Sequence, residues 1–267
     1  MKVNKALTIA GSDSGGGAGI QADLKTFQEL GVYGMTAITA VTAQNTLGVQ
    51  GVYPVALEGI QEQLHSIGVD LTPDAVKLGM LFSSEIIKVV AENIEKFGWN
   101  NIVLDPVMIA KGGASLLQQE AVQALKEYLL PLATVVTPNV PEAEVLTGME
   151  IHSIEDSKKV AKVLHELGAK YVLMKGGHAA YQGNEVIDFL FDGEQFVEFR
   201  SERIDSKQTH GSGCTFASAV TAGLAKGYEM AEAVREAKQF ISIAIEEPLH
   251  IGSGHGPTNH FAYKLKL

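Results

Sequence analysis

Short, uninterrupted apolar runs alternate with helix-period segments along almost the whole chain, and this alternation leaves few folds open. Residues 6–10 (ALTIA), 36–43 (TAITAVTA), 75–79 (AVKLG), 101–105 (NIVLD), 133–136 (ATVV) and 171–174 (YVLM) read as strands. Segments near 20–30, 56–66, 84–97, 116–129, 141–147, 155–167, 214–226 and 230–246 read as helices. A strand that is apolar at every position, not every second one, is covered on both faces. Strand–helix–strand order then predicts an α/β fold with a mostly parallel sheet between two helical layers. Runs 186–191 and 195–200 flank Asp192 and Gly193, which predicts a hairpin. No repeat, linker or low-complexity stretch interrupts the pattern, so residues 1–267 are expected to form one domain.

Composition narrows the function classes. The formal charge of −10 argues against a nucleic-acid partner, because a phosphate backbone demands a basic face. An anionic small molecule stays possible where backbone amides, a lysine and a metal cation offset that charge locally. The single cysteine excludes an internal disulfide and fits a reducing, cytoplasmic location. The first residues lack the apolar run of a secretory signal, and no stretch reaches the length of a membrane span.

In open parallel sheets ligands collect at the carboxyl ends of the strands. The unusual residues of this chain fall there: Gly11 after the first strand, Gln44 after the second, Met80 after AVKLG, Asp105 before Val107, Asn139 and Glu142 after ATVV, and Lys175 after YVLM. Residues 209–219 (THGSGCTFASA) form a second focus. Polar residues and two glycines lead into a helix whose first amides carry the positive end of the dipole, a place for an anion. Gly211 and Gly213 let the backbone approach it, and Ser212 lies between them. Cys214 falls in the first helical turn, where a thiol pKa is expected to be lowered. The plainer alternative is a glycine-rich turn before a buried cysteine.

Each other candidate also has two readings. Asp105 either ends a strand before a proline or, with Glu142, holds Mg²⁺ directly or through water. Glu142 alternatively favours the start of its own helix behind Pro141. Lys175 is either a phosphate-binding point charge or a solvated rim lysine. The Gln44 amide offers a donor beside an acceptor and matches an aminopyrimidine edge, or else it steadies a loop. His210 either closes over substrate or packs the loop. Asp23 binds a substrate hydroxyl or favours the start of the first helix. Gly17-x-Gly19-x-x-Ala22 meets a loose dinucleotide fingerprint, but the second strand ends in Gln44 and Asn45 where a ribose-binding acid is required. GxxxxGK[ST], HExxH and GxSxG are absent from the sequence.

Taken together, GSDSGGGAGIQAD at 11–23, DPVM at 105–108, TPNVPE at 137–142, KGGH at 175–178, HGSGC at 210–214 and GHGPTNH at 254–260 resemble the ribokinase-like superfamily. Within it the set is similar to the hydroxymethylpyrimidine/phosphomethylpyrimidine kinases of thiamine biosynthesis. The resemblance implies a ribokinase-like α/β/α domain that acts on a small molecule as a homodimer. It implies ATP and Mg²⁺ as cofactors and phosphorylation of 4-amino-5-hydroxymethyl-2-methylpyrimidine, then of its monophosphate. It places the anion hole at Gly211, Ser212 and Gly213, and the Asn-x-x-Glu motif tied to Mg²⁺ and phosphate at Asn139 and Glu142. From the residues, Lys175 and Thr209 are further phosphate candidates, and the acceptor ring is expected near Gly11, Gln44, Met80 and Val107, with Asp23 and His210 as further substrate-binding candidates. Most sugar kinases of the superfamily have an aspartate base where this chain has Cys214, a departure shared with pyrimidine kinases and one group of bacterial pyridoxal kinases. Pyridoxal, also a hydroxymethyl on a six-membered aromatic ring, is the rival acceptor. Lys238 and the glycine-rich segment 252–257 are candidates for the adenine end.

Overall fold

A computed structural model describes residues 3–108, 119–179, 181 and 183–266. Its nine described strands form one sheet in the order β3-β2-β1-β4-β5-β6-β7-β8-β9. The strands are β1 (Lys5–Asp13), β2 (Tyr33–Asn45), β3 (Gly48–Pro54), β4 (Ala75–Leu78), β5 (Ile102–Leu104), β6 (Val135–Val136), β7 (Tyr171–Met174), β8 (Glu185–Phe191) and β9 (Phe196–Glu202). From β2 through β7 every neighbouring pair is parallel, while β3, β8 and β9 add antiparallel edges. The helices are α1 (Gly19–Glu29), α2 (Leu57–Asp70), α3 (Ser84–Phe97), α4 (Gln119–Ala124), α5 (Val140–Thr147), α6 (Ile154–Glu166), α7 (Ser212–Ala225), α8 (Met230–Glu246) and α9 (Ala262–Lys266).

Successive strand residues feed two separate cores, as the pleat requires. Leu7, Ile9, Val76, Ile102, Leu104, Val136 and Val172 pack under α2, α3, α5 and α6. Ala6, Ala75, Val103, Val135 and Leu173 face the other way, under α1, α7 and α8. This is the two-sided burial that the continuous apolar runs predict. The second face holds smaller residues, and α7 answers with Ala217, Ala219, Ala222 and Gly223, so that every residue from Thr215 to Ala225 is buried. Gly223 is needed for that closeness: a Cβ there would lie 2.7 Å from the Ala233 side chain of α8.

The structure departs from the sequence reading at four places. β1 does not end at Ala10; it continues through a bulge and pairs Ser12 and Asp13 with Val41 and Thr42. β3, an antiparallel strand absent from the reading, returns along β2 with Tyr53 opposite Val41. The helix expected at 116–129 is α4 followed by a wider π-turn at Leu125–Leu129, and its first residues, 116–118, lie outside the described residues. The strand expected at 133–136 contracts to β6. The hairpin at Asp192 and Gly193 forms as β8 and β9. No helix among the described residues is long and apolar enough to cross a membrane.

Behind the first turn of α7, His260 is buried against the Thr215 hydroxyl at 3.0 Å. Burial, helped by the charge of Lys25, lowers its pKa to about 4. The unfolded chain therefore binds a proton near pH 6.5 that the folded chain refuses until near pH 4. Stability linked to His260 is present above pH 6.5 and is lost as the pH falls towards 4, by on the order of 3 kcal/mol in full. Urea unfolding of wild type and His260→Gln between pH 4 and 7 checks this, with a flatter profile expected in the variant.

Candidate active site

The carboxyl ends of the parallel strands and the start of α7 enclose a cavity of about 930 Å³. Cys214, Gly211, Ser212, Gly213, Gly11, Gln44, Met80, Val107, His210, Asp105, Asn139, Glu142, Lys175 and Thr209 all line it. Asp23 does not. It is fully buried beneath the floor, where its oxygens accept from Lys77 Nζ (3.0 Å), Thr8 Oγ1 (2.6 Å) and Ser218 Oγ (2.6 Å). A side chain so engaged has no face for a substrate hydroxyl, and that expectation is corrected. Lys238 also lines the cavity, tied at 2.6 Å to Asp188, beside apolar Val186, Ile241 and Ile245. The segment 252–257 lies outside it; Gly252 and Gly254 pack on Thr46 instead.

The anion loop takes its shape from a backbone that only glycine suits. Gly211 caps α7 with φ +77°, and a Cβ there would run into the Gly17 carbonyl. Gly211→Ala is expected to displace the loop and cut any phosphotransfer by at least about 10²-fold, since misplacing catalytic groups by an ångström has that effect. Circular dichroism should show the rest of the fold intact. Gly213 faces the charged corner: a Cβ there would sit 3.4 Å from Lys175 Nζ and 3.9 Å from Asp105 Oδ2.

That corner contains one ammonium and two carboxylates. Lys175 Nζ donates to Asp105 Oδ1 at 2.8 Å and lies 3.8 Å from Glu142 Oε2. Thr137 Oγ1 donates to the same Asp105 oxygen at 3.3 Å. Asn139 and Glu142 form a reciprocal cap on α5: Asn139 Oδ1 accepts from the Glu142 amide and Glu142 Oε2 from the Asn139 amide. Glu142 thus serves its own helix and also faces the cavity. Burial raises its carboxyl to about 7 against the opposing pull of Lys175, with the like charge of Asp105 adding to the rise. A surplus of negative charge at this corner would suit a divalent cation. Among the described residues no cluster of three His, Cys, Asp or Glu side chains could hold a metal alone. Two carboxylates completed by water and phosphate oxygens fit Mg²⁺, which keeps much of its hydration shell.

The thiol behaves otherwise than its position on the helix predicts. Cys214 is half-buried on the cavity wall, and burial pushes its pKa up to about 11. Lys77 pulls it down, while Asp23 and Asp105 add to the rise. Desolvation here outweighs the helix dipole, so the expected lowering is overturned.

Two further residues at the site escaped the sequence reading. Asp13 accepts from the amides of Gly15 (2.8 Å), Gly17 (3.0 Å) and Ala18 (2.8 Å) and from His210 Nε2 (2.8 Å). Burial pushes its carboxyl up, but the bonds from His210 and Ala18 prevail and leave it below the usual value. The same His210 nitrogen lies 3.3 Å from the Gln44 amide nitrogen, so it serves either as donor to Asp13 or as acceptor from Gln44. Lys77, on β4, also reaches the cavity. A lysine inside an otherwise apolar buried strand is the one signal in the sequence that pointed to it.

The arrangement joins an anion-binding helix start, a lysine, two carboxylates and a thiol around one cavity, which is equipment for moving a phosphoryl group. Residues 13–259 match the family model described as phosphomethylpyrimidine kinase. The chain belongs to the phosphomethylpyrimidine kinase family. It is 57% identical over 264 residues to the hydroxymethylpyrimidine/phosphomethylpyrimidine kinase of Bacillus subtilis, covering 99% of this chain and 97% of that one. It is 48% identical to a pyridoxine kinase of Bacillus subtilis, over 99% of this chain and 98% of the relative. The ADP complex of Bacillus subtilis pyridoxal kinase superimposes with a TM-score of 0.92 at 48% identity, covering 99% of this chain and 100% of that one. Both acceptor chemistries therefore occur among similar proteins of this family.

Proposed function

We propose that the protein transfers the γ-phosphoryl group of ATP to 4-amino-5-hydroxymethyl-2-methylpyrimidine and then to its monophosphate, in thiamine biosynthesis. The observation that carries this reading is the meeting of Cys214 and the Gly211–Gly213 amides with Asp105, Glu142 and Lys175 around one cavity. The pyrimidine ring lies by Gly11, Gln44, Met80 and Val107, with its hydroxymethyl towards Cys214. The thiol of Cys214 first gives its proton to water; the hydroxymethyl oxygen then bonds to the γ-phosphorus, the bond from that phosphorus to ADP breaks, and the thiolate takes the hydroxyl proton. Amides at the start of α7, with Lys175, hold the charge on the transferring oxygens. Asp105 and Glu142 are the residues that would hold Mg²⁺, which when bound neutralises phosphate charge.

A coupled ADP-release assay with the aminopyrimidine alcohol, its monophosphate and pyridoxal tests the reading. Turnover of the first two supports it, and turnover of pyridoxal alone overturns it. The second reading, a pyridoxal kinase or a dual enzyme, is favoured by the 48% identical pyridoxine kinase. Gln44→Leu separates the acceptors: it is expected to lower kcat/KM for the pyrimidine by about 10²-fold or more, because a polar edge built to be paired is lost. A homodimer in the cytoplasm completes the proposal. Exposed Val41, Leu47 and Tyr53 on the β2–β3 ribbon supply an apolar face for a second copy, and sedimentation velocity tests it.

A further inference from the structure

The cavity wall beside Gln44 holds a hydrogen-bond conflict whose resolution gives that side chain a direction. Asp13 is buried and accepts from the amides of Gly15, Gly17 and Ala18. A carboxyl group that receives so many donors is ionised and can only accept. His210 Nε2, 2.8 Å from Asp13 Oδ2, must therefore carry a hydrogen and donate it. The same nitrogen lies 3.3 Å from the Gln44 amide nitrogen, which is also a donor. At the other end of the amide, Gln44 Oε1 lies 3.2 Å from Thr42 Oγ1. That hydroxyl has a single hydrogen, which goes to the Ser12 carbonyl at 2.8 Å. Donor thus faces donor on one side, and acceptor faces acceptor on the other. The oxygen and nitrogen of an amide are alike in outline, so the surrounding network assigns them. A half-turn of the amide removes both conflicts at once: the Gln44 oxygen accepts from His210, and the Gln44 nitrogen donates to Thr42.

We propose that Asp13, acting through His210, and Thr42 are positioning residues that fix the Gln44 amide with its oxygen towards His210 and its nitrogen towards Thr42, and so select an aminopyrimidine edge. The choice of acceptor rests on the kinase reading given above. Gln44 is half-buried, and all four side chains line the cavity. Its amide oxygen keeps a second lone pair and its nitrogen a second N–H for a bidentate partner there. The 4-amino group of the acceptor donates to the oxygen, on the His210 side. The neighbouring ring nitrogen accepts from the amide, on the Thr42 side. Without these anchors the amide can turn, and the turned form sets amine against amine and ring nitrogen against carbonyl oxygen. The 4-oxo counterpart of the acceptor has a carbonyl and a ring N–H in those two places and fits only the turned form. A site built to pair one edge rejects the other, because polar groups are left unmatched.

Two measurements on the intact protein test this. Long-range proton–nitrogen NMR, with the His210 ring assigned from its backbone, should show the ring hydrogen on Nε2 at about pH 8. A hydrogen found on Nδ1 alone overturns the proposal, whether or not any variant folds. In an ADP-release assay, wild type should favour the aminopyrimidine alcohol over its 4-oxo counterpart by at least about 10²-fold in kcat/KM. No preference between the two also overturns it. The double variant Thr42→Val with His210→Leu removes both anchors, and thermal melting verifies its folding. Its preference should shrink at least about 10-fold relative to wild type. A general loosening of the site lowers both rates alike and leaves their ratio where it was, so an unchanged ratio in the folded variant is the contrary result. Wild type that phosphorylates neither pyrimidine sinks the kinase reading and the choice of acceptor together, while the Nε2 hydrogen still decides the direction of Gln44.

Discussion

Lys175→Met is expected to lower kcat by about 10²–10³-fold, the range seen when one preorganised donor is taken from a developing oxyanion. It removes the ammonium that lies between Asp105 and Glu142, at 2.8 and 3.8 Å. The two carboxylates then face each other uncompensated in a nearly dry corner. Breaking a buried pair in this way also costs about 3–5 kcal/mol of stability. The rate must accordingly be measured well below the variant's melting temperature. Activity equal to wild type would remove Lys175 from the proposed mechanism, whatever the melting temperature does. Added Mg²⁺ should restore part of the stability, because it supplies positive charge where the ammonium was, and little of the rate.

Cys214→Ser is expected to lower kcat by on the order of 10²-fold while the KM for ATP moves less than about 3-fold, as for loss of a general base. A hydroxyl in the same buried setting ionises far less readily than a thiol already held at about 11. The variant keeps the turn and its amides, so nucleotide affinity should survive. The wild-type kcat should rise with pH through the neutral range, and the serine variant should lose that rise. A serine variant with full turnover would assign the proton to water or to the phosphate and leave Cys214 as a packing residue.

Much of the architecture is legible in the residues because the parallel core is made of strands covered on both sides. YVLM at 171–174 and SEIIKVVAENIEKF at 84–97 carry their own boundaries, and the structure places β7 and α3 there. β3 was not legible. GVQGVYP contains two glycines and a proline, and its order comes from pairing with β2, a tertiary cause that leaves no local pattern. The candidate site was legible as strand ends and one glycine-rich helix start, because topology gathers those positions without help from long-range detail. Asp13 stands out little in GSDSGGGAG; beyond the local amides of Gly15, Gly17 and Ala18, its distant partner is His210, which spacing in the sequence does not bring near. Asp23 looked like a residue facing substrate because a helix start near a ligand loop suggests it. Its lysine, threonine and serine partners come from β4, β1 and α7, which sequence spacing does not bring together. The thiol's pKa failed for the same kind of reason. Dipole position is local, whereas desolvation is a property of the assembled fold.

The loop before α7 is finished by the last part of the chain. The His210 amide donates to the Gly256 carbonyl at 3.0 Å, and the Thr258 amide donates to the His210 carbonyl at 3.2 Å. The shape of the proposed anion loop therefore depends on a backbone strap from residues 256–258, and removing that strap is expected to loosen His210 and the turn that follows it.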